Sequence, residues 1–135
     1  MTAAAPYRVL VAGEAAGTVL RLAAPISFWG GVDPTDGRIT DPRHPDHGTS
    51  IAGHVLVLPA TIGSSSSSAI MLELLAAGRG PAALILGQPD AILVLGVLVA
   101  GEMGHGTIPV LEGATDLATG GRVAVTADGR VIADA

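Results

Sequence analysis

Cysteine is absent from all 135 residues, which excludes disulfides and leaves no thiolate to offer zinc or an iron–sulfur cluster. Any cluster that the chemistry needs must sit on another polypeptide. Aromatic residues are nearly absent as well: Tyr7, Phe28 and Trp29 are the only three, so the core must be assembled from Val, Leu, Ile and Ala. Charged residues make up 14% of the chain, against about 25% in an ordinary soluble domain. So little charge covers a fully solvated surface poorly and points to surface buried by a partner. The formal net charge is −5, and the seven basic residues are scattered, which argues against a nucleic-acid partner because such proteins carry a basic stripe or patch. Long hydrophobic runs are missing too. The longest, Ala91 to Ala100, falls well short of the roughly 20 residues that cross a bilayer, and Met1 to Tyr7 has neither the charged start nor the apolar centre of a signal peptide. A cytoplasmic protein with no membrane contact is expected, built as one domain over residues 1–135.

What is present reads mostly as short strands. Arg8–Val11, Thr18–Leu22, His54–Leu58, Ala82–Leu86, Ile92–Val99, Thr107–Leu111 and Arg122–Thr126 are apolar or β-branched runs bounded by Gly, Pro or Asp, the pattern of strands between turns; in Ile92–Val99, Gly96 and the purely apolar pattern fit strand or helix, and strand is the reading taken. Between Gly63 and Gly78 the pattern changes. Ala69, Ile70, Leu72, Leu74 and Leu75 lie among good helix formers, serines precede them and Gly78 follows, which predicts one helix with Glu73 on its solvent face. Gly113 to Ala135 alternates apolar and polar residues around Thr119-Gly120-Gly121 and Ala127-Asp128-Gly129, a closing hairpin. Gly30 to Ser50 is rich in Asp, Pro, Gly and His, a long ordered turn region of the kind that often carries function.

Three constellations could carry chemistry. Gly63-Ser64-Ser65-Ser66-Ser67-Ser68 stands directly before the helix, where free backbone N–H groups and the helix dipole favour a carboxylate or phosphate. The bland alternative is a serine linker, but a floppy spacer has no role between a strand and a helix of one small domain. Ile26-Ser27-Phe28-Trp29-Gly30-Gly31-Val32-Asp33-Pro34 sets two of the three aromatics beside a Gly-Gly pair; it reads equally as a core-anchored turn or as a contact for a partner, with Phe28 and Trp29 at a hinge or subunit interface. His44, His47, His54 and His105, with Asp41 and Asp46 near the first two, lack the spacing that converges ligands on a metal, so turn-stabilising or solvated histidines are expected. Glu73, Glu102 and Glu112 are isolated and read as surface charge.

The ordered succession of Ile26–Pro34, then Ile39-Thr40-Asp41-Pro42-Arg43-His44-Pro45, Gly48, Val55-Leu56-Val57-Leu58-Pro59 and Gly63-Ser64 resembles the aconitase X swivel-domain family over about residues 17–101. That resemblance implies an α/β fold, a swivelling β/β/α domain with a compact β-barrel-like core and few helices. It also implies a role as the small subunit of a hydro-lyase that works only with an aconitase X large subunit, as a heterodimer or larger assembly. No cofactor or metal is expected on this chain; the iron or iron–sulfur cluster belongs to the large subunit. The family's proposed catalytic base falls on Ser64, with Gly63, Ser65 and Ser68 binding substrate.

Relatives of this family dehydrate either cis-3-hydroxy-L-proline or a phosphorylated mevalonate. The archaeal loop has a basic residue just before Gly-Ser where this chain has Thr61-Ile62, and no Lys or Arg occurs from Val55 to Leu75. A phosphate is usually met by such cations. The expected substrate is therefore cis-3-hydroxy-L-proline, dehydrated to Δ1-pyrroline-2-carboxylate, with phosphomevalonate as the alternative and a non-catalytic anion-binding or assembly module as the reading from another class.

Overall fold

The structure, a computed structural model, describes residues 7–133. Seven strands form one sheet in the order β1-β5-β4-β3-β2-β6-β7: β1 Arg8–Val11, β2 Ala15–Arg21, β3 Val55–Leu58, β4 Ala83–Leu86, β5 Val110–Glu112, β6 Arg122–Val125 and β7 Val131–Ala133. The central strands β2, β3, β4 and β5 run parallel, while β1 and the β6–β7 hairpin are antiparallel additions at the two edges. Three helical segments interrupt them: α1 Phe28–Gly31, α2 Ser67–Ala76 and α3 Ala91–Glu102.

Val55–Leu58 and Ala83–Leu86 are continuous apolar runs because the sheet is covered on both sides, and all eight residues are buried. Alternation divides them between two clusters. Leu56, Leu58, Leu84 and Leu86 face Met71 and Leu74 of α2 and Leu93 and Val97 of α3. Val55, Val57, Ala83 and Ile85 pack with Val19, Leu111, Val123, Val125, Val131 and Tyr7 on the other side. That second face is closed by the sheet curling on itself. The Tyr7 N–H donates to the Gly129 carbonyl at 2.8 Å, so the approach to edge strand β1 meets the β6–β7 turn in a half-barrel. Gly129 has φ +87°, and a Cβ there would stand 2.7 Å from the Tyr7 carbonyl oxygen, so only glycine permits the closure.

The expected α/β swivel fold with a barrel-like core is therefore present, and the closing hairpin is β6–β7. One element is corrected: Ile92–Val99, read as a strand, lies inside helix α3. The decisive feature is Asp90, whose Oδ1 accepts the N–H groups of Ile92 and Leu93 at 3.0 and 3.1 Å, an N-cap that starts a helix in an otherwise unpatterned apolar run. The predicted strand Thr107–Leu111 is displaced to Val110–Glu112, because Ile108 and Pro109 lie outside the ladder. α2 occupies the predicted Gly63–Gly78 interval with Glu73 exposed.

Candidate functional site

All four parallel strands point their carboxyl ends the same way, and in open parallel sheets ligands bind outside those ends. From there β2 leads into Leu22–Gly31 and β3 into Pro59–Ser68. The two segments are tied together: Ile26 and Thr61 form a parallel bridge, and the Ile62 N–H donates to the Ile26 carbonyl at 2.9 Å. The Ser-Phe-Trp-Gly-Gly block and the Gly-Ser helix start, 35 residues apart by count from Phe28 to Gly63, thus share one end of the molecule. The Asp-Pro-Arg-His-Pro block joins them. His44, 6% exposed, accepts the Asp46 N–H at Nδ1 (3.0 Å), so its Nε2 carries the proton and donates to the Ala24 carbonyl (3.0 Å). Asp46 in turn accepts the Ala23 N–H at 2.9 Å. His44 is a turn-stabilising histidine that pins the exit of β2.

The serine run is an ordered entry to α2. The Ser64 Oγ accepts the Ser66 N–H at 3.3 Å and the Ser64 carbonyl accepts the Ser67 N–H at 3.1 Å. Ser66 is the N-cap and makes no side-chain cap bond; the first turn holds no acidic residue. No acidic side chain of the first turn offsets the positive end of α2, an arrangement that favours an anion there. Gly63 and Ser65 are exposed, Ser64 is half-buried, and Ser67 is 2% exposed and part of the core wall. Ser68 is the second residue of α2: its hydroxyl donates to the Ser65 carbonyl at 3.4 Å, and it also lines an apolar groove of about 210 Å³ between α2 and α3.

The N–H at Ser64 Oγ and the helix terminus both favour negative charge on that oxygen. A serine hydroxyl is a poor base at its ordinary pKa and needs further activation to act as one. Away from that end, by the residues that lead into β3 and β4, the Thr35 hydroxyl and amide hold the Asp33 carboxyl below its ordinary range.

Sequence reading missed Arg21. Pairing of β2 with β3 sets it opposite Val57, and it lines a cleft of about 600 Å³ with Leu22, Ala23, Pro59, Thr115, Ala118 and Thr119. The Thr119 hydroxyl accepts the Arg21 N–H at 2.9 Å, fixing one wall. No local signal exists for this neighbour, which reaches Pro59 from another strand. Among the described residues no group of three or more His, Cys, Asp or Glu is placed to hold a metal; with no cysteine in the sequence, this chain does not fit an iron or iron–sulfur centre. No described helix is long and apolar enough to cross a membrane.

A curled seven-stranded sheet with α2 starting at one end, and a cleft lined by Arg21 at that end, defines a domain of the swivelling class. The sequence profile of the aconitase X swivel domain matches residues 5–133. The chain belongs to that family. It is 44% identical over 103 residues to a cis-3-hydroxy-L-proline dehydratase of Pseudomonas aeruginosa, covering 76% of this chain and 18% of that protein. It is 37% identical over 123 residues to the phosphomevalonate dehydratase small subunit of Thermococcus gammatolerans, covering 90% of this chain and 89% of that one. The chain thus spans under a fifth of the first relative and nearly all of the second. The crystal structure of Thermococcus kodakaraensis aconitase X in its holo form superposes with a TM-score of 0.86 at 34% identity, over 96% of this chain and 97% of the matched chain.

Proposed function

We propose that this chain is the small subunit of an aconitase X-type dehydratase whose substrate is a phosphorylated hydroxy acid of the phosphomevalonate kind. The observation that carries the reading is the shared location of the Ser64 helix start and the Arg21 cleft at the carboxyl ends of β2 and β3. Near end-to-end correspondence with phosphomevalonate dehydratase small subunits supports the choice of substrate. Arg21 supports the same choice: its cleft beside Pro59, at the end of β3, offers a guanidinium, the side chain best suited to a phosphate.

In this reading the first-turn amides of α2 and the serines hold the substrate carboxylate, with Gly63 and Ser65 exposed to it and Ser68 in support. Ser64 Oγ takes the proton from the carbon next to that carboxylate. The electron pair left behind forms the carbon–carbon double bond, and the hydroxyl on the adjacent carbon leaves as water after protonation. The acid for that step, the cations that activate Ser64 and the iron or iron–sulfur centre belong to the large subunit.

The chain alone is expected to give no turnover, and the complex with the large subunit to dehydrate phosphomevalonate. Arg21→Ala should raise the KM for that substrate about tenfold or more while kcat changes less than twofold, as removal of a charge-assisted phosphate contact predicts. Turnover by the purified chain without a partner would sink the subunit assignment. A second reading, cis-3-hydroxy-L-proline, draws on the 44% and 43% identities to dehydratases so named; a complex that dehydrates hydroxyproline and ignores phosphomevalonate establishes it instead.

A further inference from the structure

Helix α3 is Ala91-Ile-Leu-Val-Leu-Gly-Val-Leu-Val-Ala-Gly-Glu102, apolar around its whole circumference. Such a helix belongs in an interior, yet only one face is covered. Leu93, Gly96, Val97 and Ala100 are buried, whereas Ile92, Leu95 and Leu98 are 38%, 53% and 48% exposed, with Met103 at 60% just beyond the helix. Outward residues of α3 and α2 frame the groove in which Ala69 and Leu72 face Leu95 and Val99. From Ala60 to Gly104 the sequence contains four charged residues, Glu73, Arg79, Asp90 and Glu102. This face has no means of being an ordinary solvated surface.

We infer that the outward face of α2 and α3 is the docking surface for the large subunit. The inference rests on the dehydratase reading above and adds the location of the contact. Continuity with the candidate site selects the occupant. Ser68 both lines the groove and closes the serine turn through the Ser65 carbonyl. Thr61, just before Ile62 and Gly63, donates to Asp90 Oδ2 at 2.6 Å, which ties the start of α3 to the same loop. A body seated on α3 therefore abuts the serine run, where this chain's half-site lacks its activating cations and acid. Ile62 (56% exposed) directly precedes Gly63, and Trp29 (59% exposed) follows Ile26, the partner of Thr61, by three residues, so exposed apolar side chains also occur on the segments that lead to the run. A second copy of this chain has no cysteine to bring to an iron–sulfur centre. In the Pseudomonas relative the equivalent segment is 18% of a longer polypeptide, so a large body accompanies it there within one chain.

The test measures binding of the full chain to the large subunit from the same organism by titration calorimetry, with Leu95→Glu and Leu98→Lys as variants. Both positions are about half exposed, so circular dichroism and Tm of the free chain should stay near wild type. The expected result is at least a hundredfold loss of affinity for each, and a smaller loss for Trp29→Ala. Wild-type affinity in either folded variant overturns the surface while leaving the dehydratase reading in place. Sedimentation of the wild-type chain as a dimer that Leu95→Glu dissociates assigns the face to a second copy and also overturns it. If Leu95→Glu fails to fold, Leu98→Lys decides alone. Failure of the wild-type chain to bind any large subunit removes the dehydratase reading itself, and this inference with it.

Discussion

Ser64→Ala in the assembled enzyme is expected to lower kcat by about 10²- to 10⁴-fold, the range for loss of a positioned general base, with KM changed little. The side chain is half-buried and makes one long hydrogen bond, from the Ser66 N–H at 3.3 Å. Its removal should therefore cost the free chain about 1 kcal/mol or less, by analogy with a weak capping interaction. The contrast between a large kinetic and a small thermal effect is the diagnostic. Ser65→Ala and Ser66→Ala serve as comparisons, because Ser65 is exposed and Ser66 is the N-cap without a side-chain bond. If Ser64→Ala turns over near the normal rate and Ser65→Ala does not, the base lies one residue further along. If all three are active, the run serves only to hold the substrate anion through its amides.

The parts of this fold that were legible in the sequence are those where local chemistry and tertiary environment agree. Val55–Leu58 and Ala83–Leu86 are short apolar runs between breakers, and burial on both faces is what such runs require. α2 was visible because serines, helix formers and Gly78 mark both its ends. α3 was misread because Ile, Val and Leu fill every side of it, which erases periodicity as a signal and mimics a buried strand. Its length and Asp90 were the clues: twelve residues exceed a usual strand, and a Pro-Asp step before an apolar run is a helix start.

The site divides in the same way. The serine run announced itself, since an anion-ready helix terminus is a local property. Arg21 did not, because a parallel ladder brings it to Pro59 across 38 residues of chain, by count, and a window from Val55 to Leu75 contains no trace of it. The aromatic pair shows a third situation. Phe28 is fully buried and Trp29 is 59% exposed, for the backbone turns between them, with Trp29 extended and Gly30 at φ +81°. A pair treated as one unit in sequence has one member in the core and one at the surface.

Gly96→Ala carries the other large expected effect, and it acts on the site from behind. α3 crosses α2 at Gly96, where an added Cβ would lie 2.5 Å from the Ser68 carbonyl oxygen, 3.0 Å from Ser68 Cα and 3.1 Å from Met71 Cβ. Two of those atoms are backbone, so no side-chain rotation relieves the clash; the helices must separate. Overpacking of this kind costs about 1–3 kcal/mol, against which the better helix propensity of alanine returns only about 1 kcal/mol. Net destabilisation is expected, read as a lower Tm of the free chain. The separation also pushes on Ser68, whose hydroxyl closes the turn through Ser65, so the start of α2 shifts with it. A displacement near 1 Å can cost about 10²-fold in rate, so kcat of the assembled enzyme should fall by that order even where the variant is fully folded. Gly101→Ala is the control within the same helix: its added Cβ meets nothing closer than 3.6 Å, and it should raise stability slightly and leave kcat unchanged. Equal Tm and equal kcat for Gly96→Ala and wild type would show that the α2–α3 contact yields freely and does not set the position of the serines.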